Sequence, residues 1–220
     1  MGQKRKIAVL GATGSAGKAV VLEALREGYS VRALARTPSK LDIENPDFKV
    51  IQGNAEELDT IMELLSGCDA AISTLGPGFD KDVAKKMVST AATQNVIQAM
   101  GQLNIKRYIV MSGASVVLPG DRTTSLANLV TRFVFPFLLG DILRDKYSEH
   151  KLLEASALDW TLVRCPLLKD EEHASQLIIQ KGKHKSLWVN KTSLAAFFVS
   201  QISDTAFLGT GVFACSTFVK

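Results

Sequence analysis

The chain has 220 residues, 46% of them hydrophobic and 22% charged, the balance of one ordinary soluble globular domain with a sizeable core. Its net charge of +4 is too mild for a nucleic-acid surface, which needs Lys and Arg clustered on one face. Cys68, Cys165 and Cys215 are far apart and form no Cys-x-x-Cys pair, so buried reduced thiols are expected. His173 and His184 lack metal-ligand spacing with any carboxylate or cysteine, so no metal is expected.

The basic start, Met1 to Lys6, could mimic a secretory signal, but Gly11, Gly14 and Gly17 interrupt what would be its apolar stretch. The most apolar segment, Phe133 to Leu139, is too short to span a bilayer. A cytoplasmic protein with no membrane partner is expected.

Along the chain, short apolar runs alternate with longer amphipathic ones. Lys6–Leu10 reads as a buried strand, Ala16–Glu27 as a helix, Ser30–Ala35 and Phe48–Gln52 as strands. Glu56–Leu65 has helical spacing, with Leu58, Ile61, Met62 and Leu65 on one face. Asp69–Thr74 reads as a strand, Asp82–Leu103 as a long helix and Arg107–Met111 as a fifth strand. Leu118–Gly140 is the least regular stretch. Its alternating Phe133, Phe135 and Phe137 suit either core or an apolar pocket. Leu143–Ser156 reads as a helix, Trp160–Arg164 as a sixth strand, Lys191–Ile202 as a late helix and Val212–Cys215 as a last strand. This alternation predicts an α/β fold: a single domain built on a Rossmann-type, doubly wound parallel sheet, with a small substrate-binding part at its C-terminal end. Nearly continuous apolar strands fit a sheet covered on both faces.

The first strand runs directly into Gly11-Ala12-Thr13-Gly14-Ser15-Ala16-Gly17. Glycines there allow a sharp turn, close approach of a pyrophosphate and tight helix–strand packing. The helix start that follows offers free N–H groups to an anion. A phosphate-binding P-loop ending at Gly17-Lys18 would need Gly at position 12 and Ser or Thr at 19, where the chain has Ala12 and Ala19. The spacing is Gly-x-x-Gly-x-x-Gly rather than Gly-x-Gly-x-x-Gly. A nicotinamide dinucleotide is therefore the expected ligand. At the end of the second strand an NAD site would carry a carboxylate for the ribose hydroxyl. Arg36 stands there instead, with Lys40 and the hydroxyls of Thr13 and Ser39 nearby in sequence. A guanidinium suits a 2′-phosphate, so NADP(H) is favoured, with NAD(H) as the alternative.

These features resemble the atypical short-chain dehydrogenase/reductase family, in the single-domain branch of NmrA-like proteins and the biliverdin reductase B/flavin reductase type. The resemblance rests on Gly11 to Gly17, Arg36, Gly53-Asn54, Ser73-Thr74-Leu75-Gly76, Met111-Ser112-Gly113-Ala114, Tyr147 to Lys151, and Asp159 to Pro166. It departs from the family in having Asn54 where Asp is usual, and in Cys165, which splits the usual Arg-Pro pair. Only residues 167–220 follow Pro166, which argues against a bulky nucleotide-sugar substrate. With the glycine turn and Arg36, the resemblance implies cofactor contacts from Gly11, Thr13, Gly14, Ser15, Ala16, Gly17 and Arg36. It adds Asn54, Thr74, Leu75, Gly76, Ser112 and Lys151.

Tyr147 and Lys151 lie four apart on a predicted helix and so share a face. A nearby ammonium favours a phenolate, and such a tyrosine can pass a proton to a carbonyl oxygen as hydride arrives. Ser112 would stand at the C-terminal edge of the sheet and bond the substrate oxygen. The family uses Ser, Tyr and Lys in these roles, and its biliverdin reductase B type makes His150 a reserve proton donor. Asn95 resembles a family position near the site, with a solvent or core amide as the alternative. The leading expectation is an NADPH-dependent reductase of a small carbonyl, quinone, flavin or tetrapyrrole-like acceptor, acting as monomer or homodimer. Two alternatives stay open: a non-catalytic NADP(H)-sensing regulator of NmrA type, and an epimerase or dehydratase.

Overall fold

Lys6–Leu10 forms β1, and its side chains alternate between two cores. Ile7 and Val9 enter one, Ala8 and Leu10 the other, and all four are fully buried. That is what a continuous apolar run does in a sheet covered on both faces. The structure is a computed structural model and describes residues 4–76, 87–122, 135–170, 175–183 and 185–218, excepting the side chains of 135–139.

From β1 the chain enters α1 (Ser15–Arg26), β2 (Ser30–Ala35), a short 3-10 turn (Pro38–Lys40), β3 (Phe48–Gln52), α2 (Leu58–Leu65) and β4 (Ala70–Ser73). There follow α3 (Val88–Leu103), β5 (Arg107–Gly113), α4 (Phe135–Ala155) and β6 (Asp159–Cys165). The last part holds β7 (Leu167–Lys169), β8 (Ser175–Gln180), β9 (Trp188–Asn190), α5 (Lys191–Ser200) and β10 (Thr210–Phe218).

The main sheet has the order β3-β2-β1-β4-β5-β6-β10-β8. All its pairings are parallel except β10 with β8. β7 and β9 form a separate two-stranded sheet. α1 and α5 pack on one face; α2, α3 and α4 cover the other. The strand order reverses direction at β1 and β4, where such sheets open a crevice at their carboxyl ends. The doubly wound fold is thus observed, with an antiparallel edge strand added.

Three expectations change in detail. Of the helix read over Asp82–Leu103, Val88–Leu103 is helical and the left-handed Met87 (φ 53°, ψ 42°) is its N-cap; residues 82–86 lie outside the described residues. The helix read from Glu56 starts at Leu58, because the Asn54 carbonyl side chain accepts the Glu56 N–H and turns the backbone first. The helix read from Leu143 extends back to Phe135, into the stretch expected to be irregular. Residues 123–134 with Phe133, the side chains of Phe135 and Phe137, and His173 and His184 lie outside the described residues. All three cysteines are buried free thiols.

Candidate functional site

The glycine turn is built from steric necessity. Gly11 is left-handed (φ 75°), and a Cβ there would lie 2.8 Å from Thr74 Oγ1 and 2.9 Å from the Leu75 nitrogen. A Cβ on Gly17 would lie 2.1 Å from the Gly11 carbonyl oxygen, so the first turn of α1 packs flat on the turn beneath it. Thr74 buckles the two strand ends together: its backbone N–H and its hydroxyl both reach the Leu10 carbonyl, at 3.0 and 3.1 Å. Gly14 caps α1 without a side-chain hydrogen bond, and the first turn of the helix holds no acidic residue. The helix start therefore presents N–H groups and partial positive charge to an anion with no internal competitor. Thr13, Gly14 and Ser15 are exposed there, and Ala16 and Gly17 are buried beneath them. On the outer side of the turn, Thr13, Gly14, Ser15 and Lys18 border a groove of about 380 Å³ that continues to Lys191 and Thr192 at the start of α5.

Arg36 follows β2 directly and is exposed, and no carboxylate among the described residues pairs with it. Thr37, Ser39 and Lys40 are exposed beside it, so this corner is cationic and hydroxyl-rich. Asn54 donates its amide to Glu56 Oε2 at 3.0 Å, and its side-chain oxygen accepts the Glu56 N–H in the turn into α2.

A second polar group lies at the carboxyl ends of β4 and β5. α4 crosses that region with Leu143, Lys146, Glu149, His150 and Leu153 turned inward. Lys146 is 6% exposed, and its Nζ donates to the Leu75 carbonyl (2.8 Å), the Met111 carbonyl (3.2 Å) and Glu149 Oε2 (2.9 Å). The Thr93 hydroxyl donates to Glu149 Oε1 (3.1 Å), and Tyr108 Oη lies 3.3 Å from the same hydroxyl. Burial pushes the Glu149 carboxyl above the usual carboxylate range, against the opposing pull of Lys146 and Thr93. Burial likewise raises the Tyr108 phenol, and raises the Cys165 thiol to about 12 although the Lys146 charge opposes it. Ser112 shares the sheet face of Tyr108 and Val110 by two-residue alternation; its Oγ is buried and has no hydrogen-bond partner among the described residues. Tyr147 Oη accepts the Val117 N–H at 3.1 Å.

A model of the NAD(P)H-binding family matches residues 11–205. The chain belongs to that family. The NAD(P)H-binding chain is 26% identical over 183 residues to a chloroplastic protein of Arabidopsis thaliana, covering 80% of this chain and 64% of the relative. It therefore spans less than two thirds of that protein's length. It is 27% identical over 206 residues to a Bacillus subtilis protein described as an uncharacterised sugar epimerase, covering 90% and 88%. A short-chain dehydrogenase/reductase of Veillonella parvula, solved with NADP, superposes with a TM-score of 0.77 at 17% identity, covering 97% of this chain and 95% of that one. That likeness concerns the fold, which agrees with the sequence resemblance to atypical short-chain dehydrogenases/reductases.

A dinucleotide fits this domain on the structure's own terms: a turn that side chains would fill, an uncapped helix start above it, and an orphaned hydroxyl on Ser112 at the far end of the same sheet edge. The expected pairing of Tyr147 with Lys151 is not formed. Lys151 is exposed and no hydrogen bond or ion pair joins the two. The reason is helical phase: α4 turns 143, 146, 149, 150 and 153 inward, leaving 147 on the flank and 151 outside. His150 is buried, but it packs edge-on against Trp160 near the opposite end of β6, with ring centroids 5.6 Å apart and Nδ1 3.5 Å from Glu154. Thr74 and Leu75 do reach the edge, Thr74 as the buckle and Leu75 as an acceptor for Lys146, while Gly76 is exposed beside them. Asn95 is committed to the Ala55 carbonyl at 3.1 Å. Lys146, which sequence reading passed over, had one signal available: it repeats in phase with Leu143 and Leu153.

Proposed function

We propose that the protein is an NADPH-dependent reductase of a small carbonyl, quinone, flavin or tetrapyrrole-like acceptor. The observation that carries this reading is the buried Lys146 amine, held at the carbonyls of Leu75 and Met111 on the strand-end edge that also carries the Ser112 hydroxyl. In this reading Gly11, Thr13, Gly14, Ser15, Ala16 and Gly17 hold the pyrophosphate and Arg36 holds a 2′-phosphate. Thr74 and Leu75 hold the corner in shape, and Asn54 sets the start of α2. NADPH, when bound, supplies hydride; the chain supplies orientation and a proton.

Tyr147 Oη already accepts a backbone N–H, so its own hydrogen is left to donate toward an acceptor oxygen. Ser112 Oγ, buried without a partner, gains a hydrogen bond when an oxygen arrives. Lys146 contributes positive charge to an edge where negative charge develops on that oxygen. Lys151 and His150 have no part in this reading, because one faces outward and the other lies toward the opposite end of β6.

The test is NADPH oxidation followed at 340 nm with a panel of such acceptors. Lys146→Met is expected to lower kcat/KM by about 100-fold, the scale of losing one electrostatic stabiliser, while Lys151→Met leaves it near wild type. Wild-type-like turnover by Lys146→Met sinks the assignment. Tight cofactor binding without turnover would instead favour a sensor, and interconversion without net NADPH loss an epimerase.

A further inference from the structure

Lys146 and Glu149 form an ion pair that is almost wholly buried: their side chains are 7% and 1% exposed. An ammonium placed there without a counter-charge would carry a large desolvation cost. The pair is also asymmetric. Lys146 has three oxygen partners drawn from two strand ends and its own helix, whereas Glu149 is anchored from behind by Thr93 on α3. The groups facing Glu149 are Lys146 and Asp145 from α4, the Thr93 hydroxyl from α3 and, beyond it, the Tyr108 phenol from β5. Asp145 is engaged elsewhere, accepting the Ser89 and Thr90 N–H groups. Among the described residues, Glu149 is thus the carboxylate in direct contact with Lys146.

We propose that Glu149 is a positioning residue. Its carboxylate, fixed by Thr93, draws Lys146 Nζ onto the Leu75 and Met111 carbonyls and holds it there. This rests on the reading that gives Lys146 its role, and adds how that role is maintained. Glu149 touches neither cofactor nor acceptor and acts only through the lysine. The raised carboxyl adds a consequence in acid. As Glu149 takes up a proton, Lys146 loses its counter-charge, so turnover falls on the acid side while ordinary carboxylates are still ionised.

The experiment uses the full chain and two readouts. The first needs no turnover: an amine-reactive reagent at fixed neutral pH, with modification of Lys146 followed by mass spectrometry. Wild-type Lys146 is expected to be protected, and Glu149→Gln to expose it to labelling about 10-fold faster as the released side chain samples water. Wild-type labelling in a folded Glu149→Gln protein overturns the proposal. Should Glu149→Gln fail to fold, Thr93→Val loosens the carboxylate without stranding an ammonium. It is expected to speed labelling about threefold, on the scale of one hydrogen bond to a charged group, and a wild-type rate there overturns the proposal equally. The second readout is the pH profile of kcat, where Glu149→Gln is expected to lower kcat and abolish the acid limb. Collapse of turnover in Lys146→Met with an unchanged acid limb in Glu149→Gln refutes the inference and leaves the reductase reading intact. Protection lost in Glu149→Gln but turnover kept in Lys146→Met refutes the catalytic role of Lys146 and leaves the positioning intact.

Discussion

Arg36 stands at the end of β2 with no acidic partner among the described residues, and that sets its expected selectivity. Arg36→Ala should weaken NADPH binding about tenfold or more, as loss of a charge-assisted pair implies, and leave NADH binding within a few-fold. Calorimetry with both forms checks it; equal weakening would remove the preference. His150 yields a prediction of another kind. Burial holds its imidazole below the ordinary value of 6.5, against a smaller opposing pull from Glu154. The unfolded chain therefore binds more protons than the folded one as pH drops through 6.5, and stability should fall with it. His150→Phe keeps an aromatic edge on Trp160 and should flatten the change in Tm between about pH 7.5 and about pH 5.5. The glycines and Arg36 were legible because each answers a local demand: a left-handed φ at Gly11, a 2.1 Å clash at Gly17, a strand end that lacks a carboxylate. The lysine was not. Tyr147 and Lys151 satisfy a four-residue spacing as well as any pair does, and spacing alone leaves open which face of the helix is turned inward.

At the scale of elements, α3 and α4 are joined by one carboxylate. Asp145 is fully buried and accepts the N–H groups of Ser89 (3.0 Å) and Thr90 (2.9 Å), with the Thr90 hydroxyl 2.7 Å away. It thereby caps a helix distant in sequence, which starts from the left-handed Met87 and has no side-chain cap from its own N-cap residue. Asp145→Ala strands buried donors and should cost about 3 kcal/mol in urea denaturation; Asp145→Asn, which keeps an accepting oxygen, should cost less. Nothing local announces this cap, because its donor and acceptor lie 56 residues apart. The elements that periodicity found were those with their own amphipathic or continuous apolar signal, such as Lys6–Leu10 and Phe48–Gln52, which match residue for residue. The missed strands β7 and β9 are three residues long, too short to show a period, and β8 is mostly half-buried, so its polar and apolar positions do not separate cleanly.

At the scale of the whole molecule, the β3-β2-β1-β4-β5-β6 half of the sheet follows from β-α-β alternation and the handedness of its crossovers. The remainder does not, because β10 reaches its place beside β6 only after the chain has made β7, β8, β9 and α5. What α5 does is clearer: it packs on α1, so the helix carrying the anion-binding end is braced by residues far along the chain. The insertion of β10 between β6 and β8 has a kinetic corollary. Within this sheet β8 pairs with β10 alone, so residues 175–180 have no ladder to join until residues 210–218 have been synthesised. Until then β6 also keeps one open edge. A nascent chain halted between those points would display two unsatisfied strand borders at once, the state most exposed to intermolecular pairing and to capture by a chaperone.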